Sequence, residues 1–108
     1  MIWQQMDPIQ PLREFAAKIF HVHAKDARIN RRKLNDVGIL AHPLEYHDPR
    51  LPGLGEIDWS AFFAALSETG SNASVVVEVE DRAYEGSLEN RILGLRQAHR
   101  YLSQFCAR

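Results

Sequence analysis

Apolar positions along this chain follow two periods in turn, and the switches between them mark out the elements. From Lys18 to Asp26 the side chains alternate. Phe20, Val22 and Ala24 fall on one face and His21, His23 and Lys25 on the other, which predicts a strand. Ser74 to Glu80 predicts a second strand, with Val75, Val77 and Val79 on one face and Val76, Glu78 and Glu80 on the other. Between them, Trp59, Phe62, Phe63 and Leu66 keep the i, i+3, i+4, i+7 spacing of a helix with one buried face. Asp58 is its predicted N-cap and Gly70 its stop. A shorter helix is predicted from Asp7-Pro8 onward, with Ile9, Leu12, Phe15 and Ala16 as its stripe. A last helix is predicted from a Ser87 cap to about Phe105, with Leu88, Ile92, Leu95, Leu102 and Phe105 facing the core.

Residues 27–56 read as one long connection, with a helical turn or two over Asn30–Val37 ended by Gly38. Pro52-Gly53-Leu54-Gly55 reads as a tight turn within it. The order is therefore helix, strand, long loop, helix, strand, helix. Strands that alternate with helices predict a parallel sheet with right-handed crossovers, an α/β fold.

Length limits this picture. At 108 residues the chain has room for one small domain, whereas a closed (β/α)₈ barrel takes about 250. A formal net charge of -1 gives no reason to expect nucleic acid or an anionic membrane as partner. Arg31-Arg32-Lys33 reads as a solvated face. Cys106 is the sole cysteine, which rules out an internal disulfide or a cysteine-based zinc site. No apolar run approaches the roughly 20 residues of a membrane span. The first residues lack the basic start and apolar centre of a signal peptide, so a cytoplasmic location is expected.

The polar faces of the two strands carry the candidate chemistry. Burying a carboxylate is costly unless it is paired or bound to metal, and both strands end in ionisable groups on what should be their inner face. His23 and Glu78 fall at equivalent heights and can converge on one ion. Imidazole with carboxylate suits divalent transition metals, and carboxylates with water suit Mg²⁺. Asp26 and Lys25 are placed to orient His23 or to bind substrate, although an Asp in that position is also a common turn cap. Arg50 beside the Pro-Gly turn is placed to fork onto a hydroxyl or phosphate. Glu80 and Asp81 are candidate supports behind the metal ligands.

Three motifs in order, His23-Ala24-Lys25-Asp26, then Arg50-Leu51-Pro52-Gly53-Leu54-Gly55-Glu56-Ile57-Asp58-Trp59, then Glu78-Val79-Glu80-Asp81, make the chain resemble the C-terminal part of the sugar phosphate isomerase/epimerase family in the xylose isomerase-like TIM-barrel superfamily. The resemblance runs from about Ile2 to Phe105. It implies a single partial barrel domain over residues 1–108: about the last two βα units and a preceding helix. It implies a C-terminal fragment of a metal-dependent enzyme that moves a proton next to a carbonyl of a small sugar or sugar phosphate. His23 and Glu78 would be metal ligands from the seventh and eighth strands, and Glu78 would also be catalytic. Arg50 and Lys25 would contact substrate, with Asp26 and Glu80 supporting the ligands. The metal would be Mn²⁺, Mg²⁺ or Co²⁺ in preference to Zn²⁺. The family's remaining ligands and second acid/base carboxylate have no counterpart here, so the chain alone is expected to be inactive. His47-Asp48-Pro49 departs from the Asp-x-His pair of the endonuclease IV branch, which weakens a DNA-repair reading. An inosose dehydratase-like lyase is an alternative. So is a non-catalytic module that self-associates or docks on a complementing N-terminal half.

Overall fold

The computed structural model describes residues 1–106. Strands β1 (His21–Ala24) and β4 (Ser74–Val77) pair in parallel, with His23 opposite Val76 and Ala24 opposite Val77. Strands β2 (Asp26–Ile29) and β3 (His47–Arg50) pair antiparallel, with Asp26 opposite Arg50 and Ile29 opposite His47. Helices α1 (Ile9–Glu14), α2 (Arg31–Val37), α3 (Trp59–Glu68) and α4 (Leu88–Ser103) complete the order. The parallel sheet has two strands among the described residues and does not close on itself.

The helices form where their caps and stripes predict. Asp58 Oδ1 accepts from Ala61 N at 2.9 Å and starts α3, which buries Trp59, Phe63, Ala65 and Leu66. Ser87 Oγ accepts from Asn90 N at 3.1 Å and starts α4. Asp7 Oδ1 accepts from Ile9 N at 2.9 Å at the start of α1. The core joins Leu12 of α1, Ala24 of β1, the buried residues of α3 and Leu102 of α4, with Val75 and Val77 of β4 packed against them. Phe63 of α3 and Phe105 stack with ring centroids 6.1 Å apart.

Three expectations need correction. The first strand is shorter than Lys18–Asp26. Its ladder partner begins at Ser74, so residues before His21 have nothing to pair with beyond one bond from Ser74 N to Phe20 O. Phe20 is 78% exposed rather than packed on a helix, and Phe15 is exposed too. The segment 27–56 is no featureless connection. It holds the β2–β3 hairpin, with Ala27, Ile29 and Tyr46 buried. Its strands are four residues each and one contains Pro49, too short and irregular to show a period, and proline is tolerated because the sheet has only edges. Finally, the predicted α4 stripe faces the core only at its end, where Leu102 and Phe105 pack as expected. Gly94, Ala98 and Leu102 are buried, whereas Leu88, Ile92 and Leu95 are exposed. The Tyr84 ring lies so close to Gly94 that this side of the helix is the one in contact.

Candidate functional site

Parallel pairing sets the site. With His23 beside Val76, the alternation of both strands puts His21, His23 and Lys25 on the same face as Val76, Glu78 and Glu80. Glu78 lies just past β4, held by its N–H donating to Ala24 O at 3.0 Å. His23 Nδ1 and Glu78 Oε1 are 3.6 Å apart, and both side chains are open, 61% and 41% exposed. The His21 ring meets the His23 ring edge-on, with centroids 4.9 Å apart. One step along the strands, the Lys25 ammonium pairs directly with the Glu80 carboxylate. That hydrogen bond raises the Lys25 pKa above its usual 10.5; partial burial opposes it, and the charges of Glu80 and Glu78 add to it.

These groups open onto a cavity of about 710 Å³, walled on its other sides by Met1, Trp3, Leu44 and His47. His21 and the wall residues carried no site signal in the sequence beyond the alternation of β1. Met1 and Trp3 reach the wall because the N-terminal turn packs on β2 and Trp3 O accepts from the Tyr46 hydroxyl at 3.4 Å.

Asp26, expected beside His23, points elsewhere. Its side chain is almost fully buried, and its carboxylate accepts from the N–H groups of Ala27, Gly53 and Ile57 and from the Trp59 indole, at 2.8 to 3.2 Å. Asp26 therefore ties the Pro-Gly turn and the start of α3 to β2. The two glycines of that turn have steric causes. Gly53 has φ +94, and a Cβ there would meet the Tyr101 ring at 2.7 Å. A Cβ at Gly55 would overlap the Asp26 carboxylate itself.

Arg50 is likewise turned away from the cavity face. Its Nε lies 3.1 Å from Asp81 Oδ2, at an angle too poor for a hydrogen bond, so the contact is an ion pair. Asp81 is 2% exposed and also accepts from Leu51 N and Ala83 N, both at 3.0 Å. The pair fastens the Pro-Gly turn to the chain leaving β4. A buried carboxylate calls for such a partner, and the guanidinium next to the turn supplies it. Of the seven expected site residues, His23, Lys25, Glu78 and Glu80 share one face, while Asp26, Arg50 and Asp81 hold up the loop beside it.

The donor set suits a divalent metal only in part. His23 and Glu78 offer one imidazole and one carboxylate on adjacent strands, and among the described residues no third His, Cys, Asp or Glu joins them. A resident ion would take these two as part of a larger set.

Parallel strands joined by a crossover helix, with ionisable groups at their C-terminal ends, define an arc of a (β/α) barrel. Residues 1–105 match the family described as xylose isomerase-like TIM barrel, and the chain belongs to it. It is also 32% identical, over 108 aligned residues, to the uncharacterized protein YfiH of Bacillus subtilis (strain 168). That alignment takes in 90% of this chain and 34% of the relative, so the chain spans about a third of the length of the curated relative it matches. Among the described residues no helix is long and apolar enough to cross a membrane.

Proposed function

We propose that this chain carries part of the active site of a divalent-metal-dependent sugar or sugar-phosphate isomerase or epimerase. The observation that supports it most is the pairing of His23 with Glu78 at 3.6 Å on the C-terminal ends of adjacent parallel strands, facing a cavity. His23 and Glu78 would hold the metal; the family resemblance implies Mn²⁺, Mg²⁺ or Co²⁺, and an imidazole with a carboxylate suits divalent metals. When bound, such an ion stabilises negative charge developing on a substrate oxygen. Glu78 would accept and return the proton next to a substrate carbonyl through its carboxylate. Lys25 pairs with Glu80 along the same face, where the Lys25 ammonium would meet a substrate hydroxyl or phosphate. Arg50 and Asp26 act on this site indirectly, by fixing the Pro-Gly turn that borders it.

The test is Mn²⁺ binding followed by electron paramagnetic resonance on the purified chain. The expected result is weak binding that falls about tenfold or more in both His23→Ala and Glu78→Gln. Binding that survives both substitutions would overturn the assignment of these ligands. The same samples should show little ketose turnover, because the second acid/base group is not among the described residues.

A further inference from the structure

Two residues of the cavity lining, Trp3 and His47, come from outside the parallel sheet and take no part in the His23–Glu78 pair. One short turn holds both. The 3₁₀ turn Pro43–Glu45 is locked at its start, where His42 N donates to Glu45 Oε2 at 2.9 Å and Leu44 N donates to His42 Nδ1 at 3.3 Å. The Pro43 carbonyl accepts from Tyr46 N at 3.2 Å and from His47 Nδ1 at 2.6 Å. The buried Tyr46 donates its hydroxyl to Trp3 O, and its own carbonyl accepts from Asn30 N at 2.8 Å. Groups fixed by such bonds are set before a ligand arrives, which removes part of the ordering cost of binding.

The contact at Pro43 decides the chemistry of His47. A carbonyl oxygen only accepts, so His47 Nδ1 carries the proton. The lone pair of the neutral ring is then on Nε2, the nitrogen left to accept from a ligand. Trp3 is 36% exposed and gives the cavity a broad aromatic side chain. A wholly apolar ligand would strip water from Nε2 without replacing its hydrogen bond, which is costly. A small anion such as phosphate would find no donor at Nε2 and would leave the indole uncovered. A sugar meets both demands. Its C–H groups form an apolar face, and the hydroxyls around that face donate hydrogen bonds.

We propose that Trp3 and His47 form a sugar-binding subsite of this cavity, with Trp3 packing on the carbon face of the ligand and His47 Nε2 accepting from one of its hydroxyls. The proposal rests on the sugar reading of the His23–Glu78 site. It adds to that reading the residues that recognise the carbon skeleton rather than the reacting carbonyl.

The test titrates D-fructose, an uncharged ketose, into the purified chain in metal-free buffer. Tryptophan fluorescence reports on Trp3, because the other tryptophan, Trp59, is buried and bonded to Asp26. A saturable change is expected, and it should vanish in Trp3→Phe, which keeps an aromatic ring without the signal. The His47 Nε2 resonance in proton–nitrogen correlation spectra should move over the same concentration range, which a purely structural histidine would not show. His47→Phe should raise the half-saturation concentration about fivefold, the worth of one neutral hydrogen bond. His47→Gln, which restores an acceptor oxygen, should recover part of that loss. A change that does not saturate, a fluorescence change retained in Trp3→Phe, an unmoved Nε2 resonance, or an unaltered half-saturation in His47→Phe would each overturn the proposal. No Mn²⁺ is present, so these failures leave the His23–Glu78 reading standing. Failure of that reading shows separately, in the Mn²⁺ resonance experiment.

Discussion

The Asp26 carboxylate accepts a hydrogen bond from the indole Nε1 of Trp59 at 2.8 Å, with both side chains buried. This contact joins the first residue of β2 to the first residue of α3 and makes a structural post of a residue in a catalytic-looking motif. Three backbone N–H groups share the same carboxylate. Asp26→Ala would strand several buried donors at about 1–3 kcal/mol each. A loss of about 3 kcal/mol or more is expected by urea denaturation, and Asp26→Asn, which keeps one acceptor oxygen, should lose less. A change under about 1 kcal/mol for the alanine variant would show that the network is not a support.

Gly55 tests the same post from the other side. A methyl group at Gly55 would collide with the Asp26 carboxylate and the Ala27 carbonyl, whereas one at Gly38 would meet no atom. Gly38 has φ +78 and ψ 165, a region essentially confined to glycine, so Gly38→Ala carries local backbone strain of about 1–3 kcal/mol without a clash. Thermal unfolding should place Gly55→Ala well below Gly38→Ala. Equal midpoints would mean the loop shifts freely and Asp26 does not hold it.

Arg50 distinguishes a loop fastener from a substrate contact. Arg50→Ala leaves the Asp81 carboxylate buried without its cation. The expected cost is about 2 kcal/mol, less than the 3–5 of a fully enclosed pair, because Arg50 reaches solvent. The decisive comparison is stability without any ligand. If Arg50→Ala unfolds at the same denaturant concentration as the parent, the pairing with Asp81 does not stabilise the fold.

The Lys25–Glu80 pair gives a pH dependence. Lys25 has its folded pKa raised above 10.5, mainly by donating to Glu80. Its stabilising contribution is therefore fully present below pH 10.5 and is lost as pH rises through the higher folded value. Both side chains are half exposed, so the effect is small and should shrink with salt. Lys25→Met should flatten the alkaline limb of a stability-against-pH curve. An unchanged limb would assign that limb to other groups.

Elements with local causes are legible along the chain. Asp58 and Ser87 cap the helices they were expected to cap, the α3 stripe is buried as spaced, and the alternation of both strands puts His23 and Glu78 on one face. Period and capping act over a few residues, so they can be read in order along the chain. Tertiary structure alone decided what Asp26, Arg50 and α4 do. The partners of Asp26 at Gly53, Ile57 and Trp59 lie 27 to 33 residues away, and Asp81 lies 30 residues from the Leu51 N–H it accepts. A carboxylate takes whichever donors the fold brings within reach, and no spacing in the chain announces them. In α4 the contact of Tyr84 with Gly94 turned Gly94 and Ala98 inward, so the predicted stripe is buried at Leu102 and exposed at Leu88, Ile92 and Leu95. That part of the stripe is exposed because nothing among the described residues packs against it.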